Sequence, residues 1–325
     1  MSAPKATDQA IIAAYAEMPR PAALAVKFRI SERQLRMRLN GLRARGFCAF
    51  SPDKRSPFYK QGSWKEVKTV VVNYDARVNV DLEGGLIIVG SDAHYWPGEI
   101  STAHRGFLHF IKELRPRIVI LNGDVFDGAR ISRFARIGWD KTPTVIDELK
   151  AVKERLGEIE AVAGSALKFW PLGNHDARFE NKLAQQAPEY EGVQGFHLKD
   201  HFPLWRPCWS VMVNSNLLIT HRWKGGKYAA PNNALQAGVS MCTGHLHSLK
   251  WWPHTDETGT RYGVDSGTLA EPKGQQFINY LEDSTPDWRS GFAVLTIHRH
   301  ALLQPELAKV HAEGEIDFRG TTVSV

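Results

Sequence analysis

The sequence predicts an α/β (α+β) protein, a two-sheet β-sandwich flanked by helices, with a small helical domain in front of it. Three observations carry this prediction. The first 50 residues read as short helices. From Gly84 onward, apolar strand-like runs alternate with helical segments. Later in the chain, the strand-like runs follow one another closely. This order is typical of two sheets covered by helices. We therefore expect a helical domain at 1–50, a wing or linker at 51–83 and the main domain at 84–325.

The N-terminal domain is predicted to contain three short helices. The first two are expected at residues 8–18 and 22–28, and prolines interrupt the chain between them. The third begins after Ser31, which forms a capping box with Gln34, and Gly46 ends it. Leucines at helical spacing predict the inward face of this helix: Leu35, Leu39 and Leu42.

The positive charge of the chain is concentrated in this part. Residues 1–60 contain 12 Lys and Arg against 4 Asp and Glu, a balance of +8, whereas the rest has 29 basic and 31 acidic residues. Such a concentration favours a phosphate-rich partner. Two helices, a turn and a basic third helix resemble a helix-turn-helix DNA-binding domain. The alternative is a small packing or dimerisation module. We expect nucleic acid, DNA in particular, as the partner, contacted by an outward stripe of Arg33, Arg36 and Arg43.

The composition of the chain bounds its class and location. Hydrophobic residues make up 43% of 325 residues, which is enough for one sizeable core and a smaller domain. No apolar run approaches the ~20 residues that cross a bilayer, and the N-terminus lacks the pattern of a signal peptide. The three cysteines are scattered and predict neither a disulfide nor a zinc framework. We therefore expect a cytoplasmic protein without membrane attachment.

Five strand-like runs of the main domain end in side chains that bind metals. Ligands of α/β folds bind where the carboxyl ends of strands converge. Side chains of a strand alternate between its two faces, so residues two apart point the same way. We therefore expect Asp92 and His94 to face one site, and likewise His245 and His247. Carboxylate and imidazole ligands without thiolate suit Mn, Fe, Zn or Mg. The five groups are Asp92 and His94; Asp124 and Asp127; Asn174, His175 and Asp176; His221; and His245 and His247.

These groups form the motifs D-x-H, G-D-x-x-D, G-N-H-D, H and G-H-x-H, in that order, over residues 92–247. This pattern resembles the calcineurin-like metallophosphoesterase family. The resemblance implies two divalent cations, Mn²⁺ being the first expectation. It assigns the first cation to Asp92, His94, Asp124 and His247, and the second to Asp124, Asn174, His221 and His245.

The resemblance also implies roles for three neighbouring residues. His175 would be the general acid or transition-state stabiliser, Asp176 would orient it, and Asp127 would support the metal ligands. The repair nucleases of the family usually carry His where this chain has Asp127, which weakens a direct equation with them. A helical module before such a domain looks like an arrangement found in bacteriophage proteins.

The leading functional hypothesis is a nucleic-acid phosphodiesterase that cleaves by attack of a hydroxide held between two cations. The alternatives are a phosphomonoesterase or protein phosphatase with an assembly module, and a DNA-binding regulator with an inactive phosphoesterase domain. Trp251 and Trp252 either stack bases or pack into the core, and we favour the core. Four cations are candidates for binding flanking phosphates, although a solvated surface position is the more common role: Arg178, Arg222, Lys224 and Lys227.

Overall fold

The computed structural model describes residues 7–17, 21–44, 74–134, 139, 141–278 and 284–325. The chain divides into two compact units, residues 1–70 and 71–325. Each unit has its own apolar core.

The first unit contains helices α1 (Asp8–Glu17), α2 (Pro21–Lys27) and α3 (Glu32–Ala44). The capping box at Ser31 is confirmed, because its Oγ accepts a hydrogen bond from Gln34 N and its N donates to Gln34 Oε1. The predicted leucine face of α3 is also confirmed, since all three leucines are at most 2% exposed. They form one cluster with Ile11 and Leu24. The predicted wing or linker falls largely outside the described residues, as does the side chain of Arg43.

The second unit is built from strands and helices in the predicted order. Its helices are α4 (Thr102–Leu114), α5 (Val145–Ala163), α6 (Ala177–Gln186), α7 (Leu198–His201) and α8 (Ala229–Ala237). Its strands are β1 (Val78–Val80), β2 (Gly84–Gly90), β3 (Ile118–Leu121), β4 (Leu167–Pro171), β5 (Arg206–Cys208), β6 (Val211–Val213), β7 (Leu217–Ile219), β8 (Ser240–Thr243), β9 (Lys250–Asp256), β10 (Gly259–Asp265), β11 (Gly291–His298), β12 (Ala301–Leu302), β13 (Glu306–Ala312), β14 (Glu315–Phe318) and β15 (Thr321–Ser324).

The strands form two sheets. Within the described part of the chain, one sheet has the order β15-β14-β13-β11-β2-β3-β4-β5, with β12 beside β11. The other has the order β1-β6-β7-β8-β10-β9. Strand β1 therefore joins a sheet of this unit, although its residues were predicted in the wing or linker segment. Strands β2, β3 and β4 run parallel, as do β7 and β8, so their carboxyl ends lie at common sheet edges.

Alternating side chains of the strands fill two layers of core. Ile87 and Val89 of β2 lie in the apolar cluster between the two sheets, whereas Ile88 packs toward α4 and α5. On the outer face of the second sheet, Ala234 of α8 packs against Leu218. The layer order helix, sheet, sheet, helix confirms the predicted two-sheet sandwich flanked by helices. Among the helices described here, none is long and apolar enough to cross a membrane.

Local sequence signals explain where the helices around the site begin. Thr144 accepts a hydrogen bond from the backbone of Asp147, whose carboxylate accepts one from the backbone of Thr144, so α5 starts with a capping box. The side chain of Ser101 accepts from the backbone N of His104 and caps α4. These caps fix the two helices that cover the first sheet.

Candidate metal centre

Every predicted ligand lies in a loop just after a strand. Strand β2 ends two residues before Asp92, and β8 ends two residues before His245. The expectation that strand alternation orients the paired ligands is wrong, because their backbone is not extended. Asp92, His94, His245 and His247 have φ values of 50°, 39°, 71° and 56°. These left-handed turns, which are unusual for residues other than glycine, aim the side chains in place of the strand pleat.

The loops bring the predicted ligands together in two clusters. In one, Asp92, His94 and His247 offer ligand atoms within 4.8 Å of one another. In the other, Asp124, His221 and His245 do the same. The clusters adjoin, since His221 Nε2 lies 3.1 Å from Asp124 Oδ2 and 3.9 Å from Asp92 Oδ1. They contain six of the seven predicted ligands, and they divide them as the resemblance implied.

Several buried atoms in these loops have no partner within the described part of the chain. His94 Nε2, His247 Nδ1 and Asn174 Oδ1 are buried and make no hydrogen bond, and His221 Nε2 has only carboxylate oxygens of the site near it. Such atoms are rare because burying an unpaired polar group costs free energy. A divalent cation accepts lone pairs from neutral imidazole, carboxylate and amide oxygen. The residues therefore fit two divalent cations, and Asn174, the seventh predicted ligand, supplies a free oxygen.

Two glycines allow the loops to approach this closely. A Cβ atom on Gly173 would lie 2.0 Å from Asp124 Oδ1, and one on Gly244 would lie 1.8 Å from Ser91 Oγ. Both distances are impossible contacts, and the first would displace the Asp124 carboxylate. Each glycine directly precedes a predicted ligand in the sequence, Gly173 before Asn174 and Gly244 before His245.

His175 lies beside the first cluster and is held by three groups. Its Nδ1 is 3.0 Å from Asp127 Oδ1, and its Nε2 is 3.0 Å from a guanidinium nitrogen of Arg178. Its backbone N donates to Asp124 Oδ1 at 2.8 Å. Asp127 Oδ1 also lies 2.7 Å from Nδ1 of His94. One carboxylate therefore orients both a predicted ligand and the predicted catalytic ring.

The role expected for Asp176 needs correction. Its carboxylate accepts hydrogen bonds from the backbone N atoms of Asp124, Val125, Phe126 and Gly173 and from Trp170 Nε1. It therefore fixes the loop that carries Asp124, and Asp127 takes the position beside the His175 ring. Burial and the neighbouring Asp124 carboxylate raise the pKa of Asp176 to about 6, against the effect of these donors.

The electrostatics of the clusters follow from opposite charges in a buried space. Burial alone would raise the pKa of Asp124, but His221 and His175 lower it well below its usual value. Burial alone would lower the pKa of His221, but Asp124 and Asp92 raise it to about 10. The two carboxylates thus favour a proton on His221, which a bound cation would replace.

Two features that border the site were not predicted from the sequence. Glu148 is fully buried, and its carboxylate accepts from the backbone N atoms of Gly128 and Ala129, just after Asp127. A lone acid on the apolar face of α5 was the available signal. Phe277 and Trp288 pack on His247, with ring centroids 5.6 Å and 4.4 Å from its own. No motif in the sequence indicated this aromatic wall.

The four candidate phosphate-binding cations occupy different settings. Arg178 is half-buried and donates to Asp127 O at 2.9 Å, so it belongs to the site. Arg222, Lys224 and Lys227 are exposed on the loop that follows His221. Trp251 packs partly into the core between the sheets, as favoured, whereas Trp252 is 56% exposed.

Comparisons with known proteins give distant relatives. No family model matches the chain. The chain is 26% identical over 246 residues to the Gene 54 protein of Mycobacterium phage D29, covering 69% of this chain and 93% of that protein. It is 29% identical over 155 residues to the Gene 54 protein of Mycobacterium phage L5, covering 42% of this chain and 59% of that protein. The chain thus spans less than two thirds of the L5 protein.

Three solved structures align with most of the chain at low TM-scores. Yfce, a phosphoesterase from E. coli, is 16% identical with a TM-score of 0.32, covering 68% of this chain and 97% of its own. A protein serine/threonine phosphatase from Saccharomyces cerevisiae is 12% identical with a TM-score of 0.36, covering 74% and 85%. A dimetal phosphatase from Danio rerio is 12% identical with a TM-score of 0.36, covering 74% and 98%.

At these TM-scores the likeness says nothing about chemistry, which depends on the residues of the site. Five ordered motifs predict the ligands, and the loops after β2, β3, β7 and β8 bring six of them into two adjoining clusters. The seventh, Asn174, lies in the loop after β4. In motif order and in its two-sheet architecture, the chain resembles the calcineurin-like metallophosphoesterases.

Proposed function

We propose that the chain is a phosphoesterase that depends on two divalent cations, Mn²⁺ first among them. The observation that supports this most is the pair of adjoining clusters with buried, unpartnered ligand atoms. Asp124 would serve both cations, because a carboxylate offers two oxygens; its Oδ2 lies 3.1 Å from His221 Nε2 of the second cluster. The first cation would be held by Asp92, His94, Asp124 and His247, and the second by Asp124, Asn174, His221 and His245.

A bound pair of divalent cations supplies Lewis acidity at phosphoryl oxygens and a nucleophile from water at neutral pH. The side chains of the protein add positioning and proton transfer. Asp127 holds Nδ1 of His175, so that Nε2 is the atom directed away from it. In its protonated form, His175 can donate from Nε2 to the leaving oxygen as a general acid. The guanidinium of Arg178, which can only donate, faces that nitrogen at 3.0 Å. When it turns to bind a phosphoryl oxygen instead, Nε2 becomes free to carry the proton.

We further propose that the substrate is a phosphodiester of nucleic acid. Two features support this: the +8 balance of residues 1–60 and the exposed Arg33 on α3, which makes no ion pair among the residues described. Arg36 is exposed too and pairs with Glu32, a surface contact that a phosphate can replace. A phage origin accords with the Gene 54 relatives. A reducing, cytoplasmic location accords with the free, buried Cys208 and Cys242.

The deciding experiment compares three substrates with and without Mn²⁺: bis(p-nitrophenyl) phosphate, p-nitrophenyl phosphate and plasmid DNA. The proposal expects Mn²⁺-dependent cleavage of the diester and of DNA, with the monoester slower. Faster cleavage of the monoester and intact DNA would favour the phosphomonoesterase. An Asp124→Ala protein purified in parallel controls for contaminating nuclease, because it lacks the bridging carboxylate.

A further inference from the structure

We propose that residues 222–228, named the basic loop, bind single-stranded nucleic acid together with Trp252 of β9. This inference rests on the proposed function and assigns its substrate to unpaired strands. The basic loop begins directly after His221 of the second cluster. A Cβ atom placed on Gly225 would lie 3.9 Å from the side chain of Leu246, between His245 and His247. A nucleic-acid strand with one phosphate at the metal clusters would therefore continue along the basic loop.

The charge of the loop is positive and uncompensated. Arg222, Lys224 and Lys227 are exposed, and none of them makes an ion pair within the described part of the chain. The sequence contains no Asp or Glu from residue 222 to residue 255. Lys250 extends the positive charge, since its Nζ donates to Lys227 O at 3.2 Å, although Asp287 lies 3.7 Å from it. Such a surface attracts a phosphate backbone.

Aromatic rings are interleaved with these cations. Trp223 is 49% exposed, Tyr228 is 57% exposed and Trp252 is 56% exposed. Trp252 pairs with Gly263 of β10, where a Cβ would lie 1.9 Å from Ala230 O of α8. Trp252 is therefore near the start of α8, where the basic loop ends. Exposed rings beside cations bind unpaired bases by stacking, whereas the bases of a duplex are already stacked on one another. This contrast favours single strands over duplexes.

The basic loop is held in place before any ligand arrives. Asn233 of α8 is 1% exposed. Its Nδ2 donates to Lys224 O at 3.0 Å, and its Oδ1 accepts from Lys224 N at 3.3 Å. At the far end, Ala229 is 2% exposed, and its backbone N donates to Gly226 O at 3.0 Å. A fixed loop loses less conformational entropy on binding.

The test measures affinity by fluorescence anisotropy in Mn²⁺, with His175→Ala in every protein to slow cleavage. The probes are an oligothymidylate of about 12 nucleotides, an abasic oligomer of equal length, and a duplex. Trp223→Ala should weaken oligothymidylate binding by roughly 5- to 100-fold and leave abasic binding within twofold. Lys224→Ala should weaken both single strands and reduce the salt slope by about 0.7. Lys153→Ala, an exposed lysine of α5, should change neither.

Hydrolysis of bis(p-nitrophenyl) phosphate by the same variants without His175→Ala separates the two proposals. Turnover of this small diester, which has no flanking phosphate for the basic loop to bind, should fall less than the oligothymidylate affinity does, and measurable turnover also reports correct folding. A wild-type protein that cleaves no diester contradicts the proposed function but leaves the binding result valid. Unchanged oligothymidylate affinity in both Trp223→Ala and Lys224→Ala would overturn the inference, as would equal losses on duplex and single strands.

Discussion

Asp127 Oδ1 lies 3.0 Å from Nδ1 of His175. Through this contact and the one to His94, a carboxylate outside the predicted ligand set fixes the orientation of two imidazoles. Carboxylates behind metal ligands usually contribute 10- to 100-fold to metal affinity or activity. Substitution of Asp127 should therefore affect both metal binding and the orientation of His175.

Asp127→Asn should raise the Mn²⁺ concentration for half-maximal activity by about 10- to 100-fold, because Asn holds His94 less strongly. At saturating Mn²⁺, kcat should stay below the wild-type value, since His175 has lost its orienting charge. A Mn²⁺ titration of diester hydrolysis measures both effects. An unchanged titration with wild-type kcat would remove Asp127 from the mechanism.

His175→Ala should leave two metals bound and reduce kcat by roughly 10²–10⁴-fold, the usual contribution of a positioned acid or base. His175 shares a third possible ligand group with His94 and Asp127. However, its Nδ1 faces the Asp127 carboxylate and its Nε2 faces Arg178, so both ring nitrogens already have protein partners. Elemental analysis of the variant and its kcat are the two measurements. Loss of one metal would show that His175 is a ligand.

His104 makes stability depend on pH. Its ring is 1% exposed, and burial lowers its pKa to about 4 although the hydrogen bond to Glu158 opposes this. Because the folded pKa is below the ordinary value of 6.5, the stability it contributes is present above pH 6.5 and is lost as the pH falls toward 4.

Urea unfolding of the wild type and His104→Gln at several pH values measures this effect. The wild type minus variant difference in unfolding free energy should fall by up to about 3 kcal/mol across that range. Taking the difference cancels the other titrating groups. A difference that stays constant between pH 6.5 and 4 would mean that His104 titrates normally in the folded state.

Arg33→Ala tests DNA docking by the first unit. Arg33 is exposed on α3, so its loss should reduce the slope of log affinity for duplex DNA against log salt by about 0.9 per phosphate contact. Lys153→Ala serves again as the control. If Arg33→Ala and the control give the same slope as the wild type, α3 does not contact DNA phosphates, and the packing or dimerisation module is favoured.

The ligand set of the site was predictable because it depends on residue type and order. Apolar runs predicted the strands, and polar residues after them predicted the meeting point of the loops. The sequence could not predict the left-handed turns at Asp92 and His247, because they depend on how the loops pack on their neighbours. The pleat of a strand was therefore the wrong model for how these side chains are aimed.

The exchange of roles between Asp127 and Asp176 has a similar cause. Both carboxylates lie next to predicted ligands, and sequence distance favoured Asp176 as the partner of His175. In the fold, Asp176 faces five donors from the loops after β3 and β4 and from β4 itself, and Asp127 reaches across from the neighbouring loop.

Strand alternation did separate Trp251 from Trp252, but only the packing of the two sheets decides which of them is exposed.

The number of metals bound per chain tests the central claim most directly. Asp124→Ala removes the carboxylate proposed to bridge both cations, so this variant should lose metal and all detectable diester hydrolysis, whereas Lys153→Ala should retain both. Elemental analysis of active wild-type protein should find two divalent ions per chain, and chelation should abolish activity. Full activity with one ion or none would contradict the dinuclear site.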